Sequence, residues 1–222
     1  MPGHPDPVTI NTAVWERHAR ARIAAGDLDT RPAIHRFRWT RTGVDDPGAE
    51  LLGDIRGKRV VELGCGTGDN LAYLVDHRGA RGVGIDAAPS QIRRARARWS
   101  SPVFHCTDAA LYLATCEPID VCYSVFGAVG LCPPAPLLAR IRDRLRPGGW
   151  LVFSVWDSTV AGGIRLPRSS GPPARSVHSL ASPDDWTGLL RQFSFTGIRT
   201  TRLDRCSAPD TLLITGRRSV GG

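Results

Sequence analysis

Val60-Val61-Glu62-Leu63-Gly64-Cys65-Gly66-Thr67-Gly68-Asp69-Asn70 reads as a short apolar strand, a tight glycine turn and the first residues of a helix. Glycines at alternate positions let the backbone turn sharply and let a ligand come close where a Cβ would collide. The helix start offers free N–H groups to the ligand's polar end. A dinucleotide site has the spacing G-x-G-x-x-G/A, but counting from Gly64 puts Asp69 at the last position, and the third glycine arrives early, at Gly68. A pyrophosphate would also meet the acids Glu62 and Asp69. The turn suits a zwitterionic ligand better.

Outward from this turn, short apolar runs alternate with helical patterns, the signature of βα units around a parallel sheet. Strands are expected at 59–63, 83–86, 103–106, 119–125 and 150–155. Helical spacing joins Leu71, Leu74 and Val75, then Ile92, Ala95 and Trp99, then Leu137, Leu138, Ile141 and Leu145. Arg146-Pro147-Gly148-Gly149 is a turn feeding the fifth strand. Ser182-Pro183-Asp184-Asp185 opens a further helix, because serine suits the cap, proline the first position and acids the helix dipole. Two last strands, 198–203 and 211–215, are joined tightly enough to form a hairpin, so the sheet ends in an antiparallel pair. The expected fold is α/β: a Rossmann-like, seven-stranded, doubly wound sheet, mostly parallel, with a C-terminal antiparallel hairpin and an N-terminal helical lid.

The division follows the composition. Residues 1–8 are proline-rich and expected to be disordered. The lid spans 9–48: a helix over 12–25 with Val14, Ala21 and Ala25 on one face, then irregular chain ending in Asp45-Asp46-Pro47-Gly48. The core spans 49–217, interrupted by a Gly-, Pro- and Ser-rich insert at 157–182, and 218–222 is a tail.

With 222 residues, 41% of them hydrophobic, the chain suits one domain. It opens without a basic stretch leading into an apolar one, and no run nears the ~18 apolar residues of a membrane span, so a cytoplasmic, membrane-free protein is expected. The six cysteines form no Cys-x-x-Cys pair and no zinc spacing, so no metal site is expected. A formal charge of +8 raises the question of an anionic partner. Lys58 is the single lysine among 29 basic residues, a bias that fits a GC-rich genome. The densest run, Arg93-Arg94-Ala95-Arg96-Ala97-Arg98, reads as the solvated face of a helix. The expected partner is a small molecule rather than nucleic acid, and the expected state a monomer or homodimer.

In its later motifs the chain resembles the class I methyltransferases that use S-adenosylmethionine (AdoMet), over about residues 58–217. The family's first motif is an acid followed by Gly-x-Gly-x-Gly, here Glu62 with Gly64, Cys65, Gly66 and Gly68, and Asn70 just beyond. Gly82-Val83-Gly84-Ile85-Asp86 ends a second strand in an acid, and the resemblance implies that Asp86 accepts from the ribose hydroxyls, with Ala87 and Gln91 opening the next helix beside the cofactor. In Phe104-His105-Cys106-Thr107-Asp108-Ala109 it implies that Asp108 accepts from the adenine amino group and that the Ala109 N–H faces the ring. Ser124, Val125 and Phe126 resemble the fourth-strand motif at the methionine end, and Leu145-Arg146-Pro147-Gly148-Gly149 the turn before the fifth strand. Trp15, Arg38 and Trp39 in the lid are cofactor or acceptor contacts on this reading, since a sulfonium is attracted to aromatic faces.

An oxygen or nitrogen acceptor that carries a proton needs a base. The candidates are His18 and His35 in the lid, ahead of His105 in a strand, read as interior, and His178 in the insert. The enzymes that methylate base amino groups carry Asn/Asp-Pro-Pro-aromatic at the fourth strand end, where this chain has Ser124-Val125-Phe126-Gly127. The function expected is methyl transfer to oxygen or nitrogen of a small molecule, such as a bacterial secondary metabolite. RNA methylation, a non-methylating AdoMet-binding protein and a nicotinamide oxidoreductase are the alternatives.

Overall fold

A computed structural model describes residues 6–28, 36–41, 43, 45–157, 182–203 and 211–220. The apolar runs become β1 (Arg59–Leu63), β2 (Arg81–Asp86), β3 (Val103–Cys106), β4 (Ile119–Val125), β5 (Leu145–Trp156), β6 (Phe195–Leu203) and β7 (Thr211–Arg218). They form a seven-stranded sheet in the order β3-β2-β1-β4-β5-β7-β6. β1 pairs in parallel with both β2 and β4, so the winding reverses between β1 and β4 and opens a crevice at their carboxyl ends. β7 lies antiparallel between β5 and β6, which closes the sheet with the expected antiparallel pair.

The central strands β1 and β4 are buried along nearly their whole length because helices cover both faces of the sheet there. On β1, Val60 packs with Leu71, Leu74, Ile92 and Tyr123, whereas Val61 and Leu63 face Ile85, Leu113, Leu138 and Trp186. The helices are α1 (Pro7–Ala24), α2 (Asp69–Arg78), α3 (Pro89–Arg98), α4 (Ala109–Thr115), α5 (Ala128–Leu131), α6 (Pro134–Arg144) and α7 (Pro183–Gln192). α7 starts in a full capping box: the Ser182 hydroxyl accepts from the Asp185 N–H at 3.2 Å, and the Asp185 carboxylate accepts from the Ser182 N–H at 2.8 Å.

Several boundaries differ from the sequence expectation, each for a physical reason. α1 begins at Pro7, inside the stretch expected to be disordered, because proline at the first helical position is already set to helical φ. Its buried positions are Asn11, Val14 and Ala19, not Ala21 or Ala25, because this helix covers an open cavity rather than a packed apolar core. α4 and α5 are too short, at 7 and 4 residues, to show a helical period. β5 runs through Arg146-Pro147-Gly148-Gly149, and its pairing with β4 shifts register between Ile119 and Val121 to absorb the turn. β7 extends to Arg218, past the expected end of the core. His105 is exposed, stacked on Tyr112, because β3 is an edge strand. The insert from 158 to 181, with His178, lies outside the described residues.

The arginine run is the largest correction. Arg94 and Arg98 are 6% and 7% exposed and turn inward to Asp27 at the end of the lid helix. Their i,i+4 spacing puts both guanidinium groups on one face of α3. Glu16 ties the lid to the other end of α3, accepting from the Ser90 N–H and hydroxyl, each at 2.8 Å.

Candidate active site

The strand ends and the lid enclose a cavity of about 700 Å³ over the β1–β4 crevice. Gly64 and Gly66 build its floor, both at positive φ, 78° and 54°. A Cβ on Gly64 would lie 2.5 Å from the Ala128 nitrogen, so the loop after β4 rests directly on the glycine turn. Nothing lies within 4 Å of the place a Gly66 Cβ would take, so its backbone faces the open cavity. Asp86 fixes this turn: one carboxylate oxygen accepts from the Gly66 N–H at 2.9 Å, the other from Ala88 at 2.9 Å. Asp108 caps α4, one oxygen accepting from Ala110 and Leu111 at 2.8 and 3.0 Å, and its residue also lines the cavity.

Glu62 stands at the end of β1, 3% exposed, and its Oε2 has no hydrogen-bond partner among the described residues. Burial pushes its carboxyl well above the ordinary range; the nearby Tyr123 hydroxyl pulls the other way, and Asp69 and Asp86 push it further up. Burial likewise raises the Asp86 carboxyl, against the two backbone N–H groups it accepts. A buried acid without a partner costs free energy, and a cationic ligand group removes that cost. The Cys65 thiol is also pushed well up by burial, so it stays protonated in the cavity wall.

The lid supplies the opposite wall. Trp15 and His18 line the cavity, with ring centroids 5.6 Å apart in an edge-to-face arrangement. Burial and the guanidinium groups of Arg94 and Arg22 hold the His18 imidazole below its usual pKa, with Asp27 pulling upward. Arg94 lines the cavity too and donates to Gln91 Oε1 at 2.7 Å, which fixes the Gln91 amide. The Asn70 amide accepts from the Arg38 N–H at 3.1 Å and donates to the Arg38 carbonyl at 2.9 Å, locking the lid backbone to the start of α2. Phe126 holds φ 48° at the end of β4 and stacks on Trp156 at 4.5 Å. Left-handed backbone in a bulky residue is costly, and such strain gathers at ligand sites.

Of the residues singled out from the sequence, Trp15, His18, Arg38, Glu62, Gly64, Cys65, Gly66, Asn70, Asp86, Ala87, Gln91, Asp108, Ala109, Val125 and Phe126 line this cavity. Three do not. Trp39 is fully buried against Phe37 and Tyr123, its indole N–H donating to the Gly48 carbonyl at 2.8 Å, and belongs to the core. Ser124 donates to the Leu63 carbonyl at 2.7 Å and joins β4 to β1 beneath the floor. Gly68 starts α2 at φ 73° with the Phe104 ring where its Cβ would be. His35 lies outside the described residues. Sequence reasoning missed Arg36, Thr40, Arg94, Thr107, Leu131 and Cys132, which also line the cavity. Only Arg94 carried a signal, its place one helical turn after Gln91.

The comparisons with known proteins agree with this geometry. A family model described as a methyltransferase domain matches residues 36–200. Trans-aconitate 2-methyltransferase of Methylobacterium radiotolerans is 32% identical over 157 residues, 67% of this chain and 59% of that protein. The O-methyltransferase cnsE of Penicillium expansum is 27% identical over 100% of this chain and 84% of its own length. The chain thus spans well under two thirds of the first of these relatives. Among solved structures, a Burkholderia thailandensis 1,6-didemethyltoxoflavin-N1-methyltransferase superposes with a TM-score of 0.57 at 24% identity, covering 74% of this chain and 72% of that one. Magnesium protoporphyrin IX methyltransferase from Synechocystis superposes at 0.56 with 16% identity over 99% of this chain and 87% of that one. Glycine turn, strand-end acids, sheet order and family match agree, and the chain belongs to the class I S-adenosylmethionine-dependent methyltransferases.

Proposed function

We propose that this protein transfers a methyl group from AdoMet to an oxygen or nitrogen of a small-molecule acceptor, with His18 as the base. The observation that carries this reading is the buried Glu62 carboxyl, whose Oε2 has no hydrogen-bond partner among the described residues, lining one cavity with the open Gly66 backbone and a histidine of the lid. AdoMet supplies a methyl group activated on a sulfonium cation. Glu62 and Asp86 put negative charge where its cationic groups would lie, and Asp108 puts an acceptor at the next strand end. Trp15 and Phe126 put aromatic surface in the cavity wall, which favours holding an acceptor lone pair in line with the methyl group. A lowered pKa keeps His18 neutral near pH 7, so a ring nitrogen can take the proton the acceptor gives up. His35 is the second candidate for that role.

Calorimetry with AdoMet and assay of S-adenosylhomocysteine release over a panel of small acceptors test the reading. His18→Gln is expected to lower kcat ~100-fold and leave AdoMet affinity within about two-fold. A variant that instead loses cofactor binding with kcat intact removes His18 from the chemistry. Tight AdoMet binding without product from any acceptor would favour a non-methylating role. Turnover that requires RNA and falls steeply with salt would favour an RNA substrate.

A further inference from the structure

Two guanidinium groups in the cavity wall come close to one another, those of Arg36 and Arg38. The position that a Cβ on Gly43 would take lies 3.1 Å from Arg36 Nη2 and 3.7 Å from Arg38 Nε, so both groups crowd one point above this glycine. Gly43 has φ 75°, the turn that brings the two side chains together. Both arginines line the cavity. Both residues are exposed, so water screens their repulsion and leaves both guanidinium groups open to an anionic ligand at the edge of the cavity. Asp46 is engaged elsewhere, accepting from the Trp39 and Thr40 N–H groups and the Thr40 hydroxyl through one oxygen and from Gly48 through the other. Asn70 engages only the Arg38 main chain. Among the described residues neither Arg36 nor Arg38 has an ion pair, whereas Arg94, also in the wall, is matched by Asp27.

We infer that Arg36 and Arg38 form a carboxylate clamp in the wall of the pocket, so that the acceptor is a small carboxylic acid held there by an ionised carboxyl group. The planar forks of two guanidinium groups match the two oxygens of one carboxylate, in charge-assisted hydrogen bonds of the strong kind. Phe126, which lines the cavity and stacks on Trp156 behind it, offers an aromatic face for the acceptor's carbon skeleton. This assignment rests on the methyltransferase reading and names the class of molecule that reading leaves open. It specifies the group that anchors the acceptor, not the atom that is methylated.

The test uses the full chain loaded with S-adenosylhomocysteine and titrated by calorimetry with trans-aconitate, citrate and benzoate, and with trimethyl trans-aconitate as an uncharged control. At least one free acid is expected to bind ~10-fold or more tightly than the ester, and to weaken as salt is raised. Arg36→Gln should weaken that acid ~10-fold while AdoMet affinity stays within about two-fold, and Arg36→Lys, which keeps charge but loses the fork, should fall between. If AdoMet binds but the acids bind no better than the ester, the clamp is overturned and the methyltransferase reading stands. If Arg36→Gln weakens AdoMet and not the acids, the pair serves the cofactor's own carboxylate and the inference is wrong. If AdoMet itself does not bind, the underlying reading fails first, which calorimetry with the cofactor alone reveals.

Discussion

In the floor of the pocket the backbone is the ligand-facing material: the Gly64 and Cys65 N–H groups donate to the Ile85 carbonyl at 2.7 and 2.9 Å, and Asp86 holds Gly66. In the lid the work is done by side chains reaching far along the chain. Asn11 donates to the Leu131 carbonyl 120 positions away, Glu16 caps Ser90 at 74, and Arg94 meets Asp27 at 67. A floor made this way follows from the order of strands in a parallel sheet, since every strand end arrives at the same edge. A lid made this way follows from no repeat at all. Its geometry therefore hangs on a few pairs.

The strongest way to break the comparison is Asp27→Ala. It removes the buried carboxylate between Arg94 and Arg98, leaving Arg94 the neutral Gln91 amide and Arg98 the more distant Asp69 carboxylate at 3.8 Å, and splitting a buried pair costs about 3–5 kcal/mol. Arg22 adds little, being half exposed. The loss should be local: amides of α1 lose protection from hydrogen exchange, while β1 and β4 keep theirs. Denaturant unfolding within about 0.5 kcal/mol of the parent, with α1 protection unchanged, would show that the Asp27 pairs do not hold the lid.

Next in size is Gly66→Val, which attacks the floor. Valine at φ 54° is strained, and its side chain enters the cavity that the glycine leaves open. AdoMet affinity should fall ~100-fold, about 2.7 kcal/mol, while the lid stays docked. Calorimetry on a variant with parental circular dichroism decides the point, and retained affinity would move the cofactor off the glycine turn.

The same contrast explains what was legible in the sequence. Glu62, Asp86 and Asp108 were readable because a strand-end acid before a helix is a local pattern, and the structure brings all three to one edge. Sheet class and closing hairpin came from alternation of apolar runs, which burial on both faces enforces. The lid was not readable. Trp39 and Trp15 are both lid tryptophans, yet one lies in the core and the other in the pocket wall, a choice made by Phe37, Tyr123 and Asp46 through tertiary contact. Arg94 and Arg98 looked solvated because nothing at their position in the sequence announces Asp27.

The smallest change sharpens the floor from within. Glu62→Gln keeps the shape of the side chain and removes its charge. The folded protein holds the Glu62 proton more tightly than the unfolded chain does, because burial raises the carboxyl well above its ordinary range. Its contribution to stability is therefore full below the unfolded carboxylate range and is lost as pH rises through the folded value. Glutamine has no such loss. Without ligand, the variant and parent should melt together in acid, and the variant should melt higher as pH rises, by roughly 2–4 °C for each kcal/mol of charge burial relieved. With AdoMet the order reverses, since the cation that compensates Glu62 in the parent finds only a neutral amide, and affinity should drop ~10-fold, about 1.4 kcal/mol. Melting curves taken across pH, with and without AdoMet, read both effects in one experiment. Identical curves for the two proteins at every pH would mean that the carboxylate carries no charge burden in the empty pocket and gives the cofactor nothing to relieve.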